Sequence, residues 1–201
     1  MYFLILDTST DQCLIALARD NQIIAEEVFS HGNLLSHRLL PGIHALIEAH
    51  IQSPKNLSEI AFGVGPGSYT GTRVGVAVAK SLAFGLQVPI KTFHSPLAFL
   101  PDKEGSFAFL IPTRSGQFYV LSGSISSSQV IQKEASLLNR EELEKFEAVD
   151  FLICSSDKDL PPKLRTDYPP APNLHALCLF LSEQGRASLE NVEVLYLHTP
   201  Y

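Results

Sequence analysis

Two clusters of residues in this chain have types and spacing that could do chemistry. The first is Asp7-Thr8-Ser9-Thr10, directly after the apolar run Tyr2–Leu6. In a nucleotide-hydrolysing site, a carboxylate at a strand end holds magnesium or a water, and neighbouring hydroxyls touch phosphate. The same residues also make an Asx or Ser/Thr turn. The second is Gly63-Val64-Gly65-Pro66-Gly67-Ser68-Tyr69-Thr70-Gly71-Thr72-Arg73-Val74-Gly75. It follows an expected strand and opens an expected helix, where backbone N–H groups can hold an anion. No Gly-Lys-Ser/Thr follows the glycines, so it is not a phosphate-binding P-loop. Ser68 lacks a glycine two residues to each side, so it is not a nucleophile elbow. The competing reading is a tight turn with Ser68 or Thr70 as helix cap. Asp7, Thr8, Ser9, Gly65, Gly67 and Ser68 form the candidate anion-binding remnant.

Other constellations carry less. His37, His44 and Glu48 could share a helix face, but no His-x3-His pair occurs and Pro41 lies between the histidines, so no metal site is expected. Ser36 and His37 are adjacent and point to different faces, which gives no catalytic triad. Cys13, Cys154 and Cys178 are widely spaced and read as reduced thiols of a cytosolic protein. The second half offers no partner for Asp7: its corresponding strand ends Ile111-Pro112-Thr113-Arg114-Ser115-Gly116, without an acid. The later Cys154-Ser155-Ser156-Asp157 has no glycine through which an adenosine could approach the backbone. Both features weigh against independent ATP hydrolysis.

The elements that must position these residues follow from periodicity. Tyr2–Leu6, Cys13–Arg19 and Gln22–Phe29 read as an antiparallel meander, with Asp20-Asn21 as the second turn. Leu35, Leu39, Ile43, Leu46, Ile47 and Ile51 recur at three- and four-residue steps, the mark of an amphipathic helix over Leu35–Ile51. Pro41 inside it predicts a bend or a late start. Glu59–Val64 is a strand, Thr72–Leu86 a helix and Val88–Thr92 a strand. After a crossover come strands Phe107–Ile111, Gln117–Ser124 and Gln129–Glu134, then a helix Arg140–Phe146 entered through Asn139 and Glu142. A strand Val149–Cys154, an irregular proline-rich stretch 157–172, a helix from Asn173 to Gln184 and a strand Val192–Leu197 complete the order. The two halves repeat βββαβα. That predicts an α/β protein of the duplicated actin-like, sugar-kinase-like (ASKHA, ribonuclease H-like) fold in two small domains, 1–98 and 99–201. Fold alone does not give function.

The helix Thr72–Leu86 continues a stripe of small residues, Gly71, Gly75, Ala79 and Ala83. An interior helical glycine costs about 1 kcal/mol relative to alanine. A close helix–helix contact with a partner, or packing on the chain's own sheet, accounts for tolerating it. Arg73 and Lys80 share another face, where they are solvated or meet an acidic partner.

Composition bounds the classes. The chain has 201 residues, 45% hydrophobic and 18% charged, enough for a core without staples. With 15 Lys and Arg against 21 Asp and Glu, its formal charge is −6, the opposite sign from a stand-alone nucleic-acid binder. Any tRNA is therefore met indirectly, through another chain. No leader segment and no membrane-length apolar run is read.

The stretches Leu4-Ile5-Leu6-Asp7-Thr8-Ser9-Thr10, Arg38-Leu39-Leu40-Pro41, Gly63 to Gly75 and Ala79-Lys80-x-Leu82-Ala83 closely resemble the TsaB (YeaZ) family. The match is dense over residues 2–95. The resemblance implies a catalytically silent relative of TsaD, without cofactor or metal, in the synthesis of N6-threonylcarbamoyladenosine beside the anticodon of ANN-decoding tRNAs. It implies a TsaD-like partner, a TsaE-like ATPase reached through the complex, and a pairing surface on the first two helices. Carried over, that surface is Leu39, Ile43, Leu46, Gly71, Arg73, Gly75, Ala79 and Lys80, with a homodimer formed when the chain is alone. The chain departs from the family pattern at Leu35 and Val64, where histidine and arginine are usual, and at Pro112 and Gln117, where acids are usual. An independent ATPase or small-molecule kinase of the same fold is the alternative, and a peptidase is a third reading for which no nucleophile–base pair is found.

Overall fold

The computed structural model describes residues 1–10, 12–30, 35–113, 115–154, 164, 171–192 and 194–195. It divides into two units. The first comprises Met1–Ser95 together with residues 181–195; the second lies within Pro96–Phe180. The division expected at residue 98 leaves out this return of the chain to the first unit.

The first unit is built on a five-stranded sheet of order β3-β2-β1-β4-β5. Strands β1 (Tyr2–Asp7), β2 (Gln12–Arg19) and β3 (Gln22–Ser30) form the antiparallel meander. The β2–β3 turn is Asp20-Asn21, both at positive φ (49° and 65°), between the paired residues Arg19 and Gln22. Asp and Asn tolerate this conformation best among non-glycine residues, so the turn chemistry sets the register. Strands β4 (Leu57–Gly63) and β5 (Ile90–Phe93) extend the sheet in parallel beside β1.

Helix α1 (Leu35–His50) packs on β2 and β3, and α2 (Tyr69–Leu86) on β4 and β1. The helix α1 starts at Leu35 and continues through Pro41, which lies on its exposed side. Its apolar row, including Leu39, Ile43 and Leu46, is buried in one core with Leu4, Leu6, Ile15, Leu17, Ile60 and Phe62 of the sheet. At Gly42 the helix comes so close that a Cβ would stand 2.9 Å from both Ile15 Cδ1 and Glu27 Oε2. Helix α2 begins three residues earlier than expected, capped by Ser68, whose Oγ accepts from the Gly71 N–H.

The returning segment is tied to the edge of this sheet. Lys91 Nζ donates to the Leu181 carbonyl (2.8 Å) and pairs with Glu59 (3.2 Å), which Arg186 also approaches (3.6 Å). Ala187 bridges Ile90, and the Leu195 N–H donates to the Val64 carbonyl at 2.8 Å. The strand expected over Val192–Leu197 does not form at residues 192, 194 and 195; residues 196 and 197 lie outside the described residues.

The second unit has sheet order β10-β6-β7-β8, with β9 also on β7. Its strands are β6 (Gly105–Pro112), β7 (Phe118–Ile125), β8 (Val130–Gln132), β9 (Ser136–Leu138) and β10 (Phe151–Cys154). The single strand expected at Gln129–Glu134 is therefore two short ones, broken at Lys133-Glu134-Ala135. The expected helix Arg140–Phe146 is a 3-10 turn, entered where the Asn139 N–H donates to the Glu142 carboxylate (2.8 Å). Leu143 from this turn joins Ala108, Leu110, Val120 and Leu152 in the second core. Helix α3 (Leu174–Glu183) starts at Asn173, whose Oδ1 accepts from the Ala176 N–H. Most of the proline-rich stretch 157–172 lies outside the described residues.

Burial of Ile43 is what holds α1 to the sheet. Ile43→Ala is expected to lower stability by about 2–5 kcal/mol, read from the urea midpoint. An unchanged midpoint would remove Ile43 from the core.

Candidate functional site

The C-terminal ends of β1 and β4 bring Asp7, Thr8, Ser9, Gly65, Gly67 and Ser68 together, as an ASKHA-type site requires. What they do there differs from holding an anion. Asp7 is 2% exposed, and its Oδ1 accepts from the Ser9 N–H at 2.7 Å, the Asx-turn arrangement. Its Oδ2 and the Ser9 hydroxyl are buried without a hydrogen-bond partner. Gly63 makes room for this carboxyl, since a Cβ there would lie 2.6 Å from Asp7 Cγ and 2.7 Å from Ser95 Oγ. Burial pushes the Asp7 carboxyl above its ordinary value, against the Ser9 amide that lowers it. A buried acid of this kind disfavours a neighbouring anion.

The turn after β1 closes onto the start of α2. The Ser68 N–H donates to the Ser9 carbonyl at 2.6 Å, and a Cβ on Gly67 would stand 2.1 Å from that oxygen. The Gly71 and Thr72 N–H groups are taken by Ser68 itself, through its Oγ and its carbonyl. These donors would otherwise face a phosphate. They are spent inside the protein, so the capped-turn reading is the one the geometry supports. Gly65, at φ 93°, adopts a backbone conformation that favours glycine, and it is fixed by Ser95, whose Oγ accepts the Gly65 N–H and whose N–H donates to the Gly65 carbonyl.

The small-residue stripe faces inward. Thr8 Oγ1 donates to the Gly71 carbonyl at 2.6 Å, and a Cβ on Gly75 would lie 2.2 Å from that same Oγ1. Gly71, Gly75, Ala79 and Ala83 are all buried. Of the eight residues expected at a partner surface, Leu39, Ile43, Leu46, Gly71, Gly75 and Ala79 belong to the chain's own interior. This is a correction, and its cause is the approach of α2 to β1. Arg73 is exposed and Lys80 partly so.

The outward side of α2 instead carries Tyr69, Arg73, Ala77, Lys80 and Phe84, at steps of four, four, three and four. Phe84 is 79% exposed and Tyr69 46%, and the Arg73 guanidinium lies 3.9 Å from the Tyr69 ring centroid. Beside it, α1 presents His37, Pro41, His44 and Glu48, all exposed, with Leu40 51% exposed at the flank. Tyr69, Ala77 and Phe84 were missed from sequence, although their helical spacing from Arg73 and Lys80 is a legible signal.

His44 Nδ1 lies 3.6 Å from Glu48 Oε2 on the surface. Among the described residues no group of three His, Cys, Asp or Glu side chains is placed to hold a metal. Burial pushes the Cys13 and Cys178 thiols up to about 12, away from nucleophilic use. In the second unit Thr113 Oγ1 donates to the Gln117 carbonyl, a turn contact; Arg114 lies outside the described residues. Among the described residues no helix is long and apolar enough to cross a membrane.

The family model described as "TsaD: tRNA N6-adenosine threonylcarbamoyltransferase" matches residues 24–158, a span that contains both α1 and α2. The chain belongs to the TsaD family. Its curated relatives place it in the TsaB (YeaZ) group. The tRNA threonylcarbamoyladenosine biosynthesis protein TsaB of Bacillus subtilis is 36% identical over 122 residues, 59% of this chain and 53% of the relative. The protein of the same name from Escherichia coli is 33% identical over 91 residues, 45% of this chain and 38% of the relative. The matched part thus spans about half the length of the first relative and less of the second. A Pseudomonas aeruginosa structure, described as an uncharacterized protein with similarity to peptidase YeaZ, has TM-score 0.78 at 23% identity. It covers 98% of this chain and 99% of that one. This likeness establishes the TsaB-type fold.

Two outcomes test the site. The Asp7 carboxyl, raised when folded, contributes stability at low pH that is lost as pH rises from its ordinary 3.8 through the folded value. Asp7→Asn should match the parent protein in thermal stability near pH 4 and exceed it increasingly towards pH 8. Gly75→Ala should destabilise the fold, and Thr8→Ser, which keeps the hydroxyl in place, should not relieve it, whereas Thr8→Ala in the same chain should. Equal stability of Gly75→Ala and the parent would remove the close contact.

Proposed function

We propose that this chain is a non-catalytic subunit in the synthesis of N6-threonylcarbamoyladenosine on tRNA. It pairs with a TsaD-like transferase through the outward sides of α1 and α2, and a TsaE-like ATPase acts on the assembled complex. The observation that carries the reading is the match of a TsaD family model across both helices, on a chain whose β1–α2 turn is closed on itself. The curated relatives' name supplies the process. The buried, unpaired Asp7 oxygen and the spent N–H groups of the α2 start argue against a working nucleotide site here, and so against the independent kinase. The inward small-residue stripe moves the pairing surface from Gly71, Gly75 and Ala79 to Tyr69, Arg73, Ala77, Lys80 and Phe84. The cytoplasm is the compartment in which this tRNA chemistry and three unpaired thiols are compatible.

Size-exclusion chromatography with light scattering, on this chain alone and mixed with the TsaD-type protein of the same genome, tests the pairing. A one-to-one complex is expected, and Phe84→Ala should weaken it without changing the fold. Modified nucleoside should form in a reconstituted mixture only when this chain is present. Formation at full rate without it would overturn the subunit reading.

A further inference from the structure

We propose that the α2 stripe selects an acidic helix of its partner over a second copy of this chain; this rests on the pairing surface proposed above. The stripe is nearly symmetric about Ala77, with a cation and an aromatic ring on each side: Arg73 and Tyr69 in one direction, Lys80 and Phe84 in the other. Helix α2 has no acidic residue. On the neighbouring elements, Arg38 of α1 is paired with Glu27 of β3 at 2.9 Å, and Glu48 of α1 lies 3.6 Å from His44. His37 and His50 are the remaining titratable groups of α1, and both are exposed. The two helices together carry Arg38, Arg73 and Lys80 against Glu48, in a chain of net charge −6. The outward face is the basic exception on an acidic protein.

The spacing states what fits. Arg73 and Lys80 are seven residues apart, about 10 Å along the axis. A partner helix crossing at Ala77 can approach closely, because alanine leaves no bulk there. It would satisfy both cations with two carboxylates at the same seven-residue spacing, and its apolar side chains would cover Tyr69 and Phe84. A second copy fits badly. A two-fold axis over Ala77 sets Arg73 of one copy within a turn of Lys80 of the other, so like charges meet in a contact that excludes water. The same residues that attract the acidic helix therefore repel self-association. Two cations flanked by apolar rings suit a protein helix better than a phosphate backbone, which needs a longer basic track.

The test is the affinity of this chain for the TsaD-type protein of the same genome at 50 and 500 mM NaCl, by calorimetry. About tenfold weaker binding at high salt is expected, as for oppositely charged faces. The Arg73→Gln/Lys80→Gln variant should lose that salt dependence and self-associate more than the parent by light scattering. Arg73→Glu/Lys80→Glu should weaken the complex by about 100-fold with an unchanged circular dichroism spectrum. Equal affinity at both salts, or a charge-reversed variant that binds as well as the parent, overturns the inference and leaves the pairing intact. Self-association tighter than the mixed complex also overturns it, as does salt-dependent binding of tRNA alongside a salt-independent mixed complex. No mixed complex at either salt removes the pairing surface itself, and this inference with it.

Discussion

The first unit depends on how closely α2 approaches the end of β1. Thr8 and Ser9 meet backbone at Gly71, Gly75, Gly67 and Ser68, at separations that leave no place for a Cβ on Gly67 or Gly75. A helix pressed this tightly against a strand end shares its first N–H groups with that strand. Three consequences follow from the one constraint. The turn is rigid, the anion-binding end of the helix is closed, and the small residues of α2 are committed to the interior, so only its opposite side remains for recognition.

Asp7 shows the cost of this arrangement. A carboxyl at the end of the first strand is placed where nucleotide-binding relatives of the fold put their metal-directed acid. Here it is enclosed by Gly63, Ser9 and Ser95, with one oxygen unpartnered. Burying it without a compensating cation opposes folding at neutral pH. The Asx turn it makes with Ser9 returns part of that free energy by fixing the β1–β2 connection.

Much of the architecture was legible. The meander followed from alternating apolar runs and from Asp20-Asn21, whose φ angles are those the dipeptide tolerates. Helix α1 followed from its apolar period, and α2 from the glycine-rich loop before it. The β8–β9 break was not legible, because Lys133-Glu134-Ala135 carries no proline or glycine to announce it. The 3-10 turn at Arg140–Phe146 has the entry residues of an α-helix and differs only in length. The small-residue stripe marks a close contact but not the identity of what approaches. The spacing of Gly71, Gly75 and Ala79 is the same for a partner helix and for Thr8, and only the tertiary placement of Thr8 decides between them. Once that side is assigned to the interior, Tyr69, Arg73, Ala77, Lys80 and Phe84 are the surface that remains.

The return of residues 181–195 to the first unit bears on how the chain is made. Strand β5 leaves the ribosome with its outer edge open, and Ala187 and Leu195 arrive only after the whole second unit has been synthesised. At roughly 5–20 residues per second, that interval is about 5–20 s. For that time the nascent protein displays an unpaired strand edge and an uncovered Lys91–Glu59 pair. An open edge of this kind is a template for wrong pairing. The first unit is thus begun first and finished last, and its folding cannot be separated from that of the unit threaded between its two parts.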